Sequence, residues 1–187
     1  AEEMLTIQLE KGRKELDYLN SVLENISLAE GERDLQEIRA ELVSGGYLRQ
    51  TDRKKQMKLP PSRPMRFVSS DGFGIWVGRS NRQNDELTTK LARRTDYWLH
   101  TQKVHGSHVI LRCDGLEPPQ RSVEQAACIA AYYSQGRDSG KLPVDYTMVR
   151  FVRKPSGSLP GKVIYTDYRT IIIEGDESLV ERLRVKK

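Results

Sequence analysis

The stretch DYWLHTQKVHGSHVIL, residues 96–111, contains all three histidines of the 187-residue chain. Alternating apolar residues predict two strands here, over 97–101 and 108–112, which can close as a hairpin over 102–107. Three imidazoles this close in sequence suit a metal site, a catalytic site or a surface that contacts nucleic acid. The rest of the sequence favours the last of these.

Metal binding and catalysis are the weaker interpretations of the histidines. The spacing His-x4-His-x2-His is not a common zinc pattern, and no C-x-x-C pair or carboxylate cluster completes it. We therefore expect no cofactor and no stoichiometric metal in the untagged protein. Ser107 and His108 are adjacent, so on a strand they point to opposite faces and do not readily form a nucleophile–base pair. We expect a protein that is not an enzyme.

The same alternation predicts an aromatic platform. Trp98 and His100 share one face of their strand, and the hairpin brings His108 close to His100 across the sheet. Aromatic and imidazole rings stack on unpaired bases, and arginines hold the RNA backbone. The rim of this platform would be formed by Arg79, Arg82 and Arg112. In the alternative, which stays open, Trp98 lies in the core and the histidines bond to backbone groups.

A polar segment, RSNRQN over residues 79–84, follows a predicted strand that ends at Gly78. Arginine forks suit phosphates or guanine edges, and carboxamides suit base edges. We predict a loop that contacts RNA through Arg79, Asn81, Arg82, Gln83 and Asn84, with both arginines dispensable for folding. Asp85 and Glu86 already satisfy the dipole of the next helix, so an anion would be held by the loop. Alternatively, the segment is a capping turn in which Asn84 caps the helix.

The chain before this region predicts a helical hairpin over residues 1–48. A heptad seam on its first helix consists of Leu5, Leu9, Leu16, Leu19, Leu23 and Ile26 with a gap at Gly12. The second helix is about half as long, so a missing part of a parent coiled coil or a second chain is expected to cover Leu5 and Leu9. Residues 49–64 are predicted to form a basic linker that contains prolines.

Residues 65–187 predict an α+β domain with an antiparallel or mixed sheet and two main helices. The helices are expected over 85–94 and over 123–134, the latter started by Ser122 with Gln125 completing a capping box. A short terminal helix is expected to be capped by Asp176. Strands are predicted over 65–69, 73–77, 97–101, 108–112, 144–152, 163–166 and 170–174.

Charge favours a polyanionic partner. Residues 59–187 carry 21 Lys and Arg against 14 Asp and Glu, a balance of +7, whereas the whole chain is +5. The alternative is a solvated basic surface. No run approaches the ~18 apolar residues of a spanning helix, and no export signal is recognised. We expect a cytoplasmic protein without membrane contact, cut from a longer chain, with Cys113 and Cys128 as buried reduced thiols.

Five segments carry a resemblance to a known family: EIRAELVSGGYL, DGFGIWVGRSNRQNDELTTKLA, DYWLHTQKVHGSHVIL, PVDYTMVRFVRKPSGSLPGKVIY and the terminal strand predicted over 170–174. In their order, they resemble the C-terminal part of bacterial NFACT-family proteins, described as RqcH or fibronectin-binding protein A-like. The resemblance implies the end of a coiled coil followed by an NFACT-R domain, an RNA-binding module. It adds Lys90, Ser107 and Lys154 to the expected RNA-binding residues.

The resemblance also implies a role for the parent protein. Such proteins bind large ribosomal subunits that carry peptidyl-tRNA, recruit tRNA and promote C-terminal alanine tailing of the nascent chain. The expected RNA is therefore tRNA, large-subunit rRNA or both. Some family members are described as fibronectin-binding surface adhesins, which makes fibronectin the alternative partner. Further carried-over positions, some expected to serve folding, are Asp71, Gly72, Gly78, Asp85, Thr88, Asp96, Gly106, Pro155, Gly157, Pro160 and Gly161.

Overall fold

A computed structural model of the chain describes residues 2–50 and 60–186. Helices α1 (Glu2–Ser27) and α2 (Glu32–Ser44) form the predicted helical hairpin, and α2, with 13 residues, has half the length of α1. Most of the predicted linker, 49–64, lies outside the described residues. Within the part of the chain that is described, no helix is long and apolar enough to cross a membrane.

Of the predicted heptad seam, only Leu19 takes part in the contact between α1 and α2 in the described residues. The buried residues of α1 are instead Tyr18, Val22 and Asn25, and the first two pack against Ile38 of α2. The Tyr18 hydroxyl donates to Glu41 Oε1 over 2.7 Å. The exposed seam positions are Leu5, Leu9, Leu16, Leu23 and Ile26. The seam prediction was wrong at these five positions because α1 turns a partly polar face toward both α2 and the following domain. An apolar periodicity does not reveal such a face.

In the described residues, eight strands form a six-stranded sheet and a separate two-stranded ribbon. The strands are β1 (Met65–Val68), β2 (Gly74–Val77), β3 (Tyr97–Thr101), β4 (Val109–Leu111), β5 (Leu142–Met148), β6 (Val152–Arg153), β7 (Ile164–Tyr165) and β8 (Arg169–Ile173). The large sheet has the order β1-β2-β4-β3-β5-β8 and the ribbon pairs β6 with β7, with every pairing antiparallel. The predicted α+β class is confirmed.

One face of the sheet packs against an alanine-rich helix, α4 (Gln120–Tyr132), and this contact forms the main core. The small side chains of α4 let its backbone lie close to Leu99 and Val109. The predicted start at Ser122 is wrong, because α4 begins two residues earlier. The Ser122 hydroxyl is buried and bonds to Ser69 Oγ and Asp71 Oδ2 instead of capping the helix. Both cysteines are buried and free, as predicted.

The opposite face of the sheet is also covered. Helix α3 (Asn81–Glu86) runs into a π-helix (Leu87–Leu91), and the ribbon follows a 3-10 turn (Val149–Phe151) that interrupts the strand predicted over 144–152. A smaller core lies between these elements and the sheet, formed by Leu87, Trp98, Ile110 and Val149. Both faces of β3 are therefore buried.

The last helix, α5 (Glu177–Leu183), closes the fold beside β1. The Asp176 carboxylate accepts the backbone N–H of Leu179 over 3.2 Å, so the predicted cap is confirmed. α5 also packs against α4. Two elements more than 100 positions apart in the sequence, β1 and α5, thus lie side by side.

Candidate nucleic-acid interface

The paired strands β3 and β4 bring three rings together. The centroid of the Trp98 ring lies 5.7 Å from that of His100 in a parallel stack and 5.3 Å from that of His108 edge-on. The two imidazoles are 5.6 Å apart. The prediction that these side chains share one face of the sheet is confirmed. Across the described residues, no three His, Cys, Asp or Glu side chains converge in a way that could hold a metal ion.

Trp98 does not present an open face to solvent. Its side chain is 1% exposed, and the ring of Tyr165 lies over it with a centroid distance of 4.7 Å. Tyr165 is fixed there because its hydroxyl donates to the buried Asp145 carboxylate over 2.7 Å. The predicted stacking platform at Trp98 is therefore wrong, and the alternative of a core tryptophan is the observed one. Alternation gave the correct face but could not reveal that a second layer covers it.

His108 is a buried hydrogen-bonding residue. Its Nδ1 lies 2.8 Å from Thr88 Oγ1, and its backbone N–H donates to Asn84 Oδ1 over 3.1 Å. Burial, with the neighbouring His100, lowers the pKa of His108 to about 3. Burial also lowers the pKa of the half-buried His100. Both imidazoles are neutral at pH 7 and offer hydrogen bonds and ring faces, but no positive charge.

Acidification is expected to destabilise the fold through these histidines. In the unfolded chain, a histidine binds its proton near pH 6.5, whereas folded His108 does so only near pH 3. Between these values, the unfolded state binds more protons, so the free energy of unfolding falls as the pH falls. Urea titrations at pH 7 and pH 5 should differ by about 2 kcal/mol from His108 alone. A His108→Gln variant should show a smaller pH dependence, and an unchanged one would contradict the assignment.

The segment over residues 79–84 is mostly helix rather than a loop. Ser80 caps α3, since its Oγ accepts the N–H of Gln83 over 3.1 Å, so the prediction that Asn84 is the cap was wrong. The Gln83 amide bonds to Arg79 N and Ser62 O, over 2.9 Å and 3.0 Å. Asn81 Nδ2 donates to Ser21 Oγ of α1 over 2.7 Å. All three carboxamides are buried. They bond to neighbouring parts of the protein and do not project into solvent.

The two arginines of this segment have different environments. Arg79 Nη1 lies 3.2 Å from Glu30 and 3.0 Å from Asp34, and its Nε donates to the Arg63 carbonyl. The expectation that the Arg79 side chain is dispensable for folding is therefore wrong. Arg82 is exposed, and in the described part of the chain its side chain forms no ion pair. Of this pair, only Arg82 presents a free charge.

Three other predicted RNA-binding residues also differ in their environments. Lys90 is exposed at the end of the π-helix. Lys154 is held by Asp85 at 2.9 Å and donates to the Leu159 carbonyl, so it fixes the following loop. Ser107 is buried where the chain leaves the hairpin toward β4. Lys90 remains available for a phosphate, whereas the other two serve the architecture in this structure.

Glu30, which sequence reasoning missed, joins the hairpin to the domain. Its carboxylate accepts hydrogen bonds from Arg79, from the Tyr133 hydroxyl and from both Nη atoms of Arg184. Burial opposes ionisation, but the two guanidinium groups hold the pKa of Glu30 below its usual value. Arg184 lies 154 positions from Glu30, so no local pattern could have indicated this contact.

A cleft of about 700 Å³ lies between α1, the loop over residues 155–163 and the histidine face, the side of the sheet that carries Trp98, His100 and His108. Exposed lysines that sequence reasoning missed line its mouth: Lys14, Lys103 and Lys162. Several of the predicted or carried-over positions line its walls, namely Asn81, Asn84, Trp98, His100, His108 and Gly161. Five of the eleven predicted RNA-binding residues therefore meet around one cavity. The other six do not line it: Arg79, Arg82, Gln83, Lys90, Ser107 and Lys154.

Gly161 shows why the loop can close one side of this cleft. Its φ is +81°, and a Cβ there would lie 2.6 Å from Asn81 Oδ1. Its N–H donates to Asp85 Oδ1 over 3.1 Å. Only glycine combines this backbone conformation with such a close approach.

Comparisons with known proteins agree on one family. Residues 63–166 match the NFACT protein RNA binding domain, and residues 1–59 match the NFACT N-terminal and middle domains. The chain is 42% identical to the Rqc2 homolog RqcH of Bacillus subtilis over 179 residues, covering 95% of this chain and 31% of that protein. It is 36% identical to the Rqc2 homolog RqcH of Streptococcus pneumoniae over 181 residues, covering 96% of this chain and 32% of that protein.

A solved structure has the same fold. The C-terminal part of the fibronectin/fibrinogen-binding protein from Streptococcus suis superposes with a TM-score of 0.90 at 34% identity, covering 98% of this chain and 72% of that one. The chain spans about a third of the length of the curated relatives. With more than half of its residues matched by one domain of the family and nearly all of them by its relatives, the chain belongs to the NFACT family.

Proposed function

We propose that this chain is the RNA-binding part of a ribosome quality control factor and is not itself an enzyme. The parent protein would act in the cytoplasm on large ribosomal subunits that carry peptidyl-tRNA, and would promote C-terminal alanine tailing. The RNA bound by this part would be tRNA, large-subunit rRNA or both. The observation that carries the proposal is the match of residues 63–166 to the NFACT RNA-binding domain.

The distribution of charge supports the proposal. Residues 63–166 hold 16 Lys and Arg against 9 Asp and Glu, a balance of +7 that exceeds the +5 of the whole chain. Some of these cations are committed to ion pairs, as Arg79, Arg112 and Lys154 are. Arg82, Lys90, Lys103 and Lys162 are among the exposed cations that form no ion pair within the described residues. This second group is suited to phosphates.

RNA binding is expected to weaken steeply with salt, because each neutralised phosphate releases counterions. Arg82→Ala/Lys90→Ala should weaken binding and flatten the salt slope by roughly one unit per lost phosphate contact. Stability should change by less than about 0.5 kcal/mol, since both side chains are exposed. The measurement is the dissociation constant for structured RNA across a salt series, with thermal melting of each variant.

The matched control for this pair is Arg33→Ala/Arg182→Ala, which removes the same charge from exposed sites on α2 and α5. The control should keep the wild-type slope. Wild-type protein that binds no RNA at low salt, or binds it independently of salt, would remove the proposed function. Binding to purified tRNA and to purified large ribosomal subunits, measured side by side, would identify the RNA.

Fibronectin binding is the second candidate function. It is favoured by the name of the Streptococcus suis protein whose structure superposes with a TM-score of 0.90. An electrostatic RNA complex should dissociate at high salt, whereas an adhesin contact built on apolar and hydrogen-bonded groups should persist. Retention of fibronectin and loss of RNA at high salt would favour the adhesin.

A further inference from the structure

We propose that the cleft between α1 and the histidine face holds one unpaired nucleotide of the bound RNA. The base would lie against His100 and Tyr165, and its phosphate would lie at the mouth formed by Lys14, Lys103 and Lys162. This inference rests on the proposed function and assigns it a site. It also makes the site composite, because α1 of the helical hairpin supplies one wall.

The size of the cleft suits a single nucleotide. A volume of about 700 Å³ lies in the range of pockets that enclose small organic ligands. A paired base is held in the stack of its helix and cannot enter such a recess without leaving it. Proteins that read RNA by sequence address unpaired bases of this kind, through ring faces and hydrogen bonds. The cleft therefore selects for an unpaired nucleotide.

The inner wall is aromatic and held in place. His100 is half-buried, stacks in parallel with Trp98 and reaches the cleft. Tyr165, which also lines the cleft, is fixed over Trp98 by Asp145. Trp98 itself is buried, and its Nε1 has no hydrogen-bond partner among the described residues. Trp98 thus acts as the support, and the partly accessible rings of His100 and Tyr165 form the contact surface.

The mouth of the cleft is basic. Lys14 comes from α1, Lys103 from the β3–β4 connection and Lys162 from the loop before β7. Lys103 has a φ of +58°, a conformation that residues other than glycine seldom adopt and that is often found at functional sites. Asp17 is the one carboxylate among the described residues that line the cleft, and it lies 3.4 Å from His105. Three lysines against this carboxylate favour a phosphate.

The outer wall is preformed. The loop PSGSLPG, residues 155–161, is tied at one end by Lys154 to the Leu159 carbonyl and at the other by Gly161 to Asp85. Its glycines and serines leave room for a sugar or a phosphate to approach the backbone. On the opposite side, Ser21 of α1 holds Asn81. Because both walls are fixed, a nucleotide would bind without a large ordering cost.

The experiment uses the 187-residue chain and two probes, 5′-AMP and ribose 5-phosphate. NMR titrations follow the indole N–H signals of Trp98 and Trp76, since Trp98 lines the cleft and Trp76 does not. We expect 5′-AMP to shift the Trp98 signal and leave that of Trp76 unchanged. Ribose 5-phosphate should bind at least tenfold more weakly. Equal binding of the two probes, or no shift at Trp98, would overturn the nucleotide site.

Substitutions in the cleft then test whether it takes part in RNA binding. Ser156→Trp places a large ring into the cleft from an exposed position, and Ser139→Trp makes the same change at an exposed position that does not line it. Wild-type protein and Ser139→Trp should bind an RNA with unpaired nucleotides about tenfold more tightly than a fully paired duplex. Ser156→Trp and Lys14→Ala should reduce or abolish this preference while duplex binding persists.

The results of these binding measurements distinguish failure of the nucleotide site from failure of the proposed RNA-binding function. If Ser156→Trp retains the preference for unpaired RNA, or if wild-type protein shows none, the cleft is not the site, although the RNA-binding function stands. If wild-type protein binds neither RNA at low salt, the proposed function fails, and the site falls with it.

Discussion

Trp98→Ala is expected to lower the free energy of unfolding by about 3–5 kcal/mol. The Trp98 side chain is 1% exposed and belongs to the smaller core with Leu87, Ile110 and Val149. Truncation removes the support of Tyr165 and leaves a cavity that the surrounding strands cannot readily fill. Because domains are stabilised by only about 5–15 kcal/mol in total, a substantial fraction of the protein would unfold at moderate urea concentrations.

Equilibrium urea unfolding followed by circular dichroism would measure this loss. Tyr168→Ala is the control, since Tyr168 is a 50% exposed aromatic residue whose ring contacts Tyr165 from the outside. The Tyr168→Ala substitution should lower the free energy of unfolding far less than Trp98→Ala does. If Trp98→Ala protein were as stable as wild type and had lost RNA binding, Trp98 would have to be an exposed stacking residue, contrary to its burial.

Asp96→Ala is expected to have an effect of similar size, about 3–5 kcal/mol, because it leaves buried partners unpaired. The Asp96 carboxylate is fully buried, accepts the N–H groups of Arg93 and Cys113 over 2.8 Å and 3.0 Å, and lies 3.0 Å from Arg112 Nε. It therefore joins the exit of the π-helix, the start of β3 and the end of β4. Alanine would remove all three contacts at once.

Asp96→Asn provides a graded comparison, because an amide keeps one acceptor oxygen and loses the charge. Its unfolding free energy should lie between those of wild type and Asp96→Ala in the same urea titration. The double variant Asp96→Ala/Arg112→Met should be less destabilised than the sum of its single variants, since the two side chains interact. Full additivity would show that the ion pair contributes nothing, and the predicted magnitude would then be wrong.

Elements with strong local signals were predicted well. Strand β3 was placed at its observed bounds, and the hairpin helices and the cap at Asp176 were also correct. Two cap predictions were wrong, Asn84 for the helix that Ser80 caps and Ser122 for α4, because the choice of cap depends on contacts outside the helix. Ser122 bonds to Ser69 and Asp71, which lie about 50 positions away. A local pattern cannot distinguish a serine that caps a helix from one that joins two elements.

Strand alternation explains why Trp98, His100 and His108 lie together, but it does not explain why they are buried. Alternation along β3 and β4 determines that Trp98, His100 and His108 share a face, because the strand period is two. It does not determine what lies on that face. Tyr165 and the loop after Lys154 reach it from about 50 or more positions away and convert a predicted open platform into the wall of a cleft.

By itself, the sequence determined the α+β class, the helical hairpin, the basic character of the second part and the family to which the chain belongs. These properties follow from periodicity, composition and motifs, all of which are local or additive along the chain. Only the tertiary structure decided which arginine is free, which histidines are neutral and where a ligand could enter. Arg79 is committed to Glu30 and Asp34 while Arg82 is not, because burial and pairing depend on residues that are brought together by folding and not by sequence.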